Sequence, residues 1–395
     1  MANHHNALSG TDQTIARRHN RAQILNRLRL QGSASRASLA KQTGLTRSTI
    51  SRIVDELIAE NLVQELDSVK NGRGRPSISL SLNPQGGAAI GIEIGVNFIS
   101  FLLTDFLSKP IWRERIALPE GSEFADYVRN AEALIEKAIV ISKEHDLHLI
   151  GIGLAIWGLV SYEKNLIHLA PNLKWRDVTL GEKWETLYGI PVITENDANA
   201  SALGEYYFGA GKEMEDFIYL SIDVGVGSGI ISKGKLFRGA DGFAGEFGHI
   251  TINPNGKMCS CGKRGCLETV VGRRVIVDRY RELSGGESET LESIIAKAEK
   301  GDKVAIQIFD EVSEDLGFGI GQAINILNPK GVILGWSLGQ AFPFLTAGIN
   351  RGLTKSSLPD LSEHIKIIPS INGSDDALFG CIALVLDEII RESIF

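Results

Sequence analysis

Cysteine is scarce in this chain, with four in 395 residues. The N-terminal run Met1-Ala2-Asn3-His4-His5 has neither the basic nor the apolar region of an export signal. Together these features exclude a disulfide-stapled secreted scaffold and lead to the expectation of a cytoplasmic protein. Long hydrophobic runs are missing too. The most apolar stretch, Gly87 to Phe106, is interrupted by Glu93 and Asn97 and is rich in β-branched residues, which reads as two buried strands rather than a membrane span. Neither an internal repeat nor a low-complexity tract is evident. The length exceeds what one core usually serves, so two or three domains are expected.

The few cysteines are not scattered. Cys259, Cys261 and Cys266 fall within eight positions, and Gly262 and Gly265 relax the turn between them. A C-x-C pair is too tight for an easy disulfide, whereas thiolates on such a turn can converge on one zinc ion at about 2.3 Å. His249 is the natural fourth ligand. Glycine, by contrast, is plentiful at 43 residues, and it gathers in short apolar runs of the kind that let backbone approach a phosphate or a sugar closely.

Charge is unevenly placed. Residues 1 to 82 carry 12 Lys and Arg against 6 Asp and Glu, a formal +6, so a chain of net charge −7 leaves −13 for the remainder. A basic head on an acidic body suggests that the head meets a polyanion. Within it, Ile15, Ile24, Leu25, Leu28 and Leu30 mark a helical face over Thr14 to Leu30. Ser35 can cap a short helix from Arg36 to Thr43 that ends at Gly44, and Thr46 a longer one through Glu60, with Ile50, Ile53, Val54, Leu57 and Ile58 inward. This is helix-turn-helix spacing, with small Ala40 at the helix crossing. Arg36, Thr46, Arg47, Ser48, Thr49, Ser51 and Arg52 are the candidate contacts to base edges and phosphates of double-stranded operator DNA. Gln64 to Leu82 reads as the two strands of a wing. Its tip, Asn71-Gly72-Arg73-Gly74-Arg75-Pro76, resembles an AT-hook, in which an extended backbone lets two arginines enter a narrow minor groove, so Arg73 and Arg75 are candidate contacts there, with a plain flexible basic turn as the alternative.

Beyond residue 87 the chain alternates strands with longer helices. Strands are expected over Gly87 to Thr104, Leu149 to Ile156, Pro191 to Thr194, Phe217 to Ile231 and Gly331 to Gly335. Helices are expected over Phe124 to Glu144, Ala198 to Tyr207, Arg273 to Leu283, Thr290 to Lys300, Asp302 to Leu327 and Ser374 to Ile394. That mixture is an α/β architecture with ligands at strand ends.

An ordered series of motifs gives the body a closer likeness. Gly153-Leu-Ala-Ile-Trp-Gly158, Ala170-Pro-Asn-Leu-Lys-Trp175, Glu195-Asn-Asp-Ala-Asn-Ala200, Gly245-Glu-Phe-Gly-His249 and the Cys259 to Glu268 segment resemble, in that order, the ROK family of sugar kinases and sugar-responsive repressors. The resemblance covers nearly the whole body. It implies an N-terminal winged helix-turn-helix (1–82) followed by a two-lobed, actin-like, sugar-kinase-like ROK domain. Its first α/β lobe would comprise 83–196 plus 374–395, and its second 197–373, with the zinc site and a dimerisation surface. It further implies that Asn172, Asn196, Asp197, Glu246, His249 and Glu268 bind a sugar, with His249 shared with zinc and Asp197 at the position of the kinases' general base.

The phosphate loops depart from the kinase pattern. Where the kinases read Asp-x-Gly-Gly-Thr this chain reads Glu93-Ile-Gly95-Val96-Asn97, and where they read Gly-Thr-Gly-Val-Gly it reads Asp223-Val-Gly-Val-Gly227. The adenine-side Gly-Gly is Gly335-Trp336, and the Pro-Gly of the first motif is Trp157-Gly158. A carboxylate and branched side chains would crowd and repel phosphates, so ATP is not expected as a cofactor. The resemblance thus implies a repressor that leaves its operator on binding a sugar, working as a homodimer, with a tetramer as the further option and with no membrane partner. Two competing expectations are an active sugar kinase bearing a DNA-binding domain and a regulator with a vestigial cleft that answers a protein partner or acts constitutively.

Overall fold

The computed structural model describes residues 6–66, 78–286 and 289–392. Its contacts divide the chain into two units, one of residues 1–154, 181–193 and 382–395, the other of residues 155–180 and 194–381.

The first unit begins with the head. Helix α1 (Asn6–Gln31) buries Ile24, Leu25 and Leu28. A two-residue strand, β1 (Ala34–Ser35), leads into α2 (Arg36–Thr43), where the Ser35 hydroxyl accepts from the Ser38 N–H at 3.2 Å. Helix α3 (Arg47–Ala59) is capped by Thr46, which accepts from the Thr49 N–H at 3.2 Å, and it buries Ile50, Ile53, Val54 and Leu57. Strands β2 (Val63–Leu66) and β3 (Ser79–Leu82) pair antiparallel and, with β1, form a sheet of order β1-β3-β2. Head helices and wing strands therefore stand where the sequence puts them, except that α1 starts earlier. The wing tip with Arg73 and Arg75 lies outside the described residues.

The same unit continues into a five-stranded sheet. Strands β4 (Ala88–Gly95), β5 (Phe98–Asp105) and β6 (Pro110–Ala117) form an antiparallel meander, which leads into helix α4 (Phe124–Glu144) and strand β7 (Leu149–Ile156). The sheet order is Val192–Asn196, β7, β4, β5, β6. Every residue of β4 is buried, Glu93 included, which accounts for its otherwise apolar run. Head and sheet are joined at several points. Asn83 donates to the Asn61 carbonyl and side-chain oxygens at 3.0 and 2.6 Å, and Asn61 donates to the Gln85 carbonyl at 2.9 Å. Arg29 of α1 donates to Asp387 of the C-terminal helix Asp376–Glu392 at 2.7 Å, its side chain only 5% exposed.

The second unit holds its own five-stranded sheet, of order Lys235–Leu236, Val226–Ser232, Phe217–Ile222, Gly331–Gly335, Lys366–Pro369. The strand Phe217–Ile222 pairs antiparallel with Val226–Ser232 and parallel with Gly331–Gly335. Helix Lys303–Leu327 presents Ile308, Phe309, Val312, Leu316, Ile320 and Ile324 at three- and four-residue spacing to a core shared with Leu220, Val332 and Leu345. Each such side chain contributes about 1.5–3 kcal/mol on burial. A small antiparallel sheet of Leu159–Ser161, Leu166–Ala170 and Trp175–Val178, which the sequence pattern did not announce, also belongs here. Among the described residues no helix is long and apolar enough to cross a membrane.

Candidate functional site

In the second unit, His249, Cys259, Cys261 and Cys266 bring one ligand atom each to within 4.8 Å of one another. The local chain explains why. The Cys259 N–H donates to the Lys263 carbonyl at 2.8 Å and the Gly262 N–H to the Cys259 carbonyl at 3.0 Å, which closes a tight knuckle. Bridges Met258–Arg264 and Thr251–Cys266 hold its two limbs together. Gly265 is required there, because its backbone is left-handed and a Cβ would fall 1.5 Å from the Asn253 carbonyl oxygen. Cys261 Sγ lies 3.7 Å from Cys266 Sγ, and Cys259 Sγ 3.6 Å from His249 Nδ1. A tetrahedron with metal–sulfur bonds of about 2.3 Å has edges of about 3.8 Å, so the donor set fits a metal ion. Burial, and after it the neighbouring thiols, pushes the Cys266 thiol up to about 12; a backbone N–H from Lys263 is the largest influence drawing Cys261 below its ordinary value. A bound cation would deprotonate such ligands.

Of the carboxylates around this knuckle, Glu268 is held by it. Glu268 accepts from Ser260 Oγ at 3.3 Å, from Cys259 Sγ at 3.6 Å and from the Val226 N–H at 3.3 Å. Glu246, exposed, reaches within 3.9 Å of His249 Nε2. Its pKa is raised by partial burial, against the pull of His249 and with the repulsion of Glu268. Asp197 stands at the first turn of helix Asp197–Phe208. Its carboxyl is pushed up to about 7, chiefly by burial and also by Glu246, although its own N–H and that of Ala198 oppose the rise. Glu246 thus connects Asp197 with the metal-ligand cluster. Asn172 is exposed on the turn Pro171–Leu173 and shows no described link to the others.

Asn196 has a different job from a free ligand. Its Oδ1 accepts from the Ala198 and Asn199 N–H groups at 2.9 and 3.0 Å, capping the helix, and its Nδ2 donates to the Gly158 carbonyl at 2.9 Å and to Asp197 at 3.1 Å. With two donors on Oδ1 and two acceptors for Nδ2, its capacity is taken within the protein, and it positions Asp197. An Asn immediately before a helix was the available signal for that role. Sequence reasoning also missed Arg238, which pairs with buried Glu195 at 2.8 Å and lies 3.9 Å over the Tyr162 ring; no local pattern marks a pair 43 positions apart.

The altered phosphate loop is closed upon itself. Asp223, 5% exposed, accepts from Ser337 Oγ and from Arg273 Nη1, each at 3.0 Å, and its carbonyl accepts from the Arg273 N–H at 2.8 Å. Arg273 also reaches Glu292 at 2.8 Å.

On the head, Arg47, Ser48 and Arg52 are exposed along α3 beside the Thr46 hydroxyl, and Thr49 and Ser51 are half-buried. Arg36 is engaged instead, with Asp55 at 2.8 Å and Glu65 at 2.6 Å. Arg21 pairs with Glu60 through both terminal nitrogens, and Arg17 with Glu56 at 3.0 Å.

Known proteins resemble this chain in sequence and in fold. The model of the ROK family matches residues 89–388, and that of the MarR family matches residues 19–74. The chain is 33% identical over 391 residues to the xylose repressor of Caldicellulosiruptor bescii, covering 96% of this chain and 98% of the relative. It is 30% identical over 378 residues to the N-acetylglucosamine repressor of Escherichia coli O157:H7, covering 93% and 92%. Among solved structures, a transcriptional regulator described as a homolog of the E. coli MLC protein superposes with a TM-score of 0.84 at 27% identity, covering 95% of this chain and 98% of the other. The fold is therefore a winged helix-turn-helix and, after it, the actin-like, sugar-kinase-like fold.

Proposed function

This chain belongs to the ROK family, and on that premise we propose that it is a sugar-responsive transcriptional repressor of carbohydrate uptake or catabolism genes, not an enzyme. The observation that carries this reading is the Asp223 latch. A loop that must wrap nucleotide phosphates in a kinase here buries a carboxylate against Ser337 and Arg273, so the Arg273 guanidinium is already neutralised from within. The head supplies the other half of the argument, with a capped α3 whose outer face carries Arg47, Ser48 and Arg52.

In this reading zinc is the ion held by His249, Cys259, Cys261 and Cys266, and its contribution is to organise the site. It holds His249, and through the knuckle Glu268, in register for a sugar. Asp197, Glu246, His249, Glu268 and Asn172 receive the hydroxyl groups, and Asn196 aims Asp197. A ring of acceptors of this kind rejects ligands that leave them unpaired. Thr46, Arg47, Ser48, Thr49, Ser51 and Arg52 contact the operator, with Arg73 and Arg75 added from the wing. The protein acts in the cytoplasm as a homodimer on two half-sites, and the sugar favours the arrangement that fits DNA less well.

The test uses the full chain and DNA flanking its own gene. Fluorescence anisotropy with and without D-xylose, D-glucose and N-acetyl-D-glucosamine, in parallel with an assay for ADP, should show sugar-dependent loss of DNA affinity and no ADP formed above background. Sugar-dependent ADP release would overturn the reading in favour of a kinase.

A further inference from the structure

Two of the places where this chain departs from the kinase pattern, Trp157 and Trp336, are partners. Their rings meet edge to face, with centroids 5.2 Å apart and planes at 83°. Trp336 has a backbone φ of +55°, a left-handed conformation that a bulky aromatic residue rarely adopts and that persists only where the surroundings hold it. The next residue in the chain is anchored, since Ser337 donates to Asp223 and Asp223 in turn binds Arg273. Trp336 is thus a fixed buried ring, 8% exposed, against which Trp157 rests.

Trp157 itself is half-buried, with part of its surface open. It precedes Gly158, a position closed to any side chain because a Cβ would lie 2.4 Å from the Leu169 carbonyl oxygen. The Gly158 carbonyl is the acceptor for Asn196 Nδ2, whose second bond goes to Asp197. The indole is therefore tied by one residue of backbone to the group that presents the Asp197 carboxylate. The site's other sugar-facing candidates, Glu246, His249 and Glu268, are polar and can read the positions of hydroxyl groups, but they offer nothing to the apolar face of a sugar. A pyranose also has a face of C–H groups, and binding sites combine a few placed polar groups with aromatic surface.

We infer that Trp157 is a specificity-determining residue for the effector, offering its indole to the C–H face of a sugar whose hydroxyls are held by Asp197 and its neighbours, and that Trp336 is the positioning residue that fixes this ring. The inference rests on the sugar-sensor reading above.

Calorimetry on the full-length protein with D-xylose, D-glucose and N-acetyl-D-glucosamine tests it, together with tryptophan emission. For whichever of the three sugars the wild type binds best, Trp157→Ala should weaken binding about tenfold, and Trp157→Phe about threefold or less, because the smaller ring still stacks. The preference among the sugars should shrink in Trp157→Ala and largely return in Trp157→Phe. A sugar-induced emission change present in the wild type should be lost in Trp157→Phe although calorimetry still records binding, a signature that a merely structural role would not produce. Unchanged affinity and preference in Trp157→Ala would overturn the inference and leave the sugar-sensor reading standing. If Trp157→Ala fails to fold, Trp157→Phe decides alone, and retention of the emission change in it overturns the inference. No binding of any of the three sugars by the wild type would overturn both.

Discussion

The head and the metal-bearing unit treat their carboxylates in opposite ways. In the head, Asp55, Glu56, Glu60 and Glu65 are each taken up by an arginine, Arg36, Arg17 or Arg21. What remains on α3 is positive, and among the described residues Arg47 and Arg52 have no ion pair. In the other unit Asp197, Glu246 and Glu268 have no lysine or arginine partner among the described residues; burial raises the proton affinity of Asp197 and of Glu246, and after it Glu246 adds to the rise at Asp197 and Glu268 to that at Glu246. Arg238, in the same unit, is engaged with Glu195. Internal pairing thus decides which charge is left over for a partner. One surface keeps its cations, and the other keeps oxygen acceptors beside a cluster of side chains that could hold a metal ion.

Removing the cation's ligands should break this contrast most completely. In Cys259→Ser, metal content measured by mass spectrometry should fall from one ion per chain to near zero, because structural zinc sites carry about 10–16 kcal/mol of apparent binding energy that a missing thiolate undermines. Sugar-driven release should disappear with it, while DNA affinity in the absence of sugar stays within about threefold of wild type. Equal loss of both would show that the two regions are not separable.

The head's side of the contrast is tested by Arg47→Ala and Arg52→Ala. Each should weaken operator binding by about 1–3 kcal/mol if it reads a base, with relaxed sequence preference at one position, or reduce the slope of log affinity against log salt by about one if it neutralises a phosphate. Metal content and sugar binding should not change. An Arg36→Ala variant separates the two fates of arginine, since a residue already held by Asp55 and Glu65 should show its effect on stability before it shows one on DNA.

The smallest effect concerns protons. With its carboxyl pushed up to about 7, Asp197 is mainly the acid at pH 6 and mainly the carboxylate at pH 8. The carboxylate accepts the stronger bond from a hydroxyl, so sugar affinity should rise across that interval by up to about tenfold, and the rise should be absent in Asp197→Asn. Stability runs the other way. A folded-state value above the ordinary 3.8 means that the folded form holds the extra proton between about 4 and 7, so the stability it gives is lost as pH rises through about 7. The Tm of Asp197→Asn should accordingly exceed that of wild type by more at pH 8 than at pH 5. A flat affinity profile in the wild type would remove Asp197 from the ligand set.

Much of this was legible in the sequence where the signal is local. The apolar spacing of Ile50, Ile53, Val54 and Leu57 placed α3, and the short intervals between Cys259, Cys261 and Cys266 placed the metal-ligand cluster, because a helix face and a knuckle are set by neighbours in the chain. The strands of Leu159 to Val178 escaped notice because they are three to five residues long, too short for alternation to emerge from composition. Pairings across the chain, such as Asp223 with Arg273, Arg238 with Glu195 and Trp157 with Trp336, depend on tertiary packing and leave no periodicity. Asn196 lies between these cases. Its motif pointed to a ligand, its position before a helix pointed to a cap, and the hydrogen bonds favour the cap.

The contact between Arg29 and Asp387 sets a timetable for synthesis. The two residues are 358 positions apart, so at about 5–20 residues per second a ribosome delivers the second about 20–70 s after the first. During that interval the emerging head can fold its own three helices but lacks the carboxylate on which α1 leans in the finished protein. A chain broken by premature termination or by a protease before its last helix would release a head in the same unfinished condition. The ion pair that steadies α1 is in this way formed only after residues more than three hundred positions away have been made.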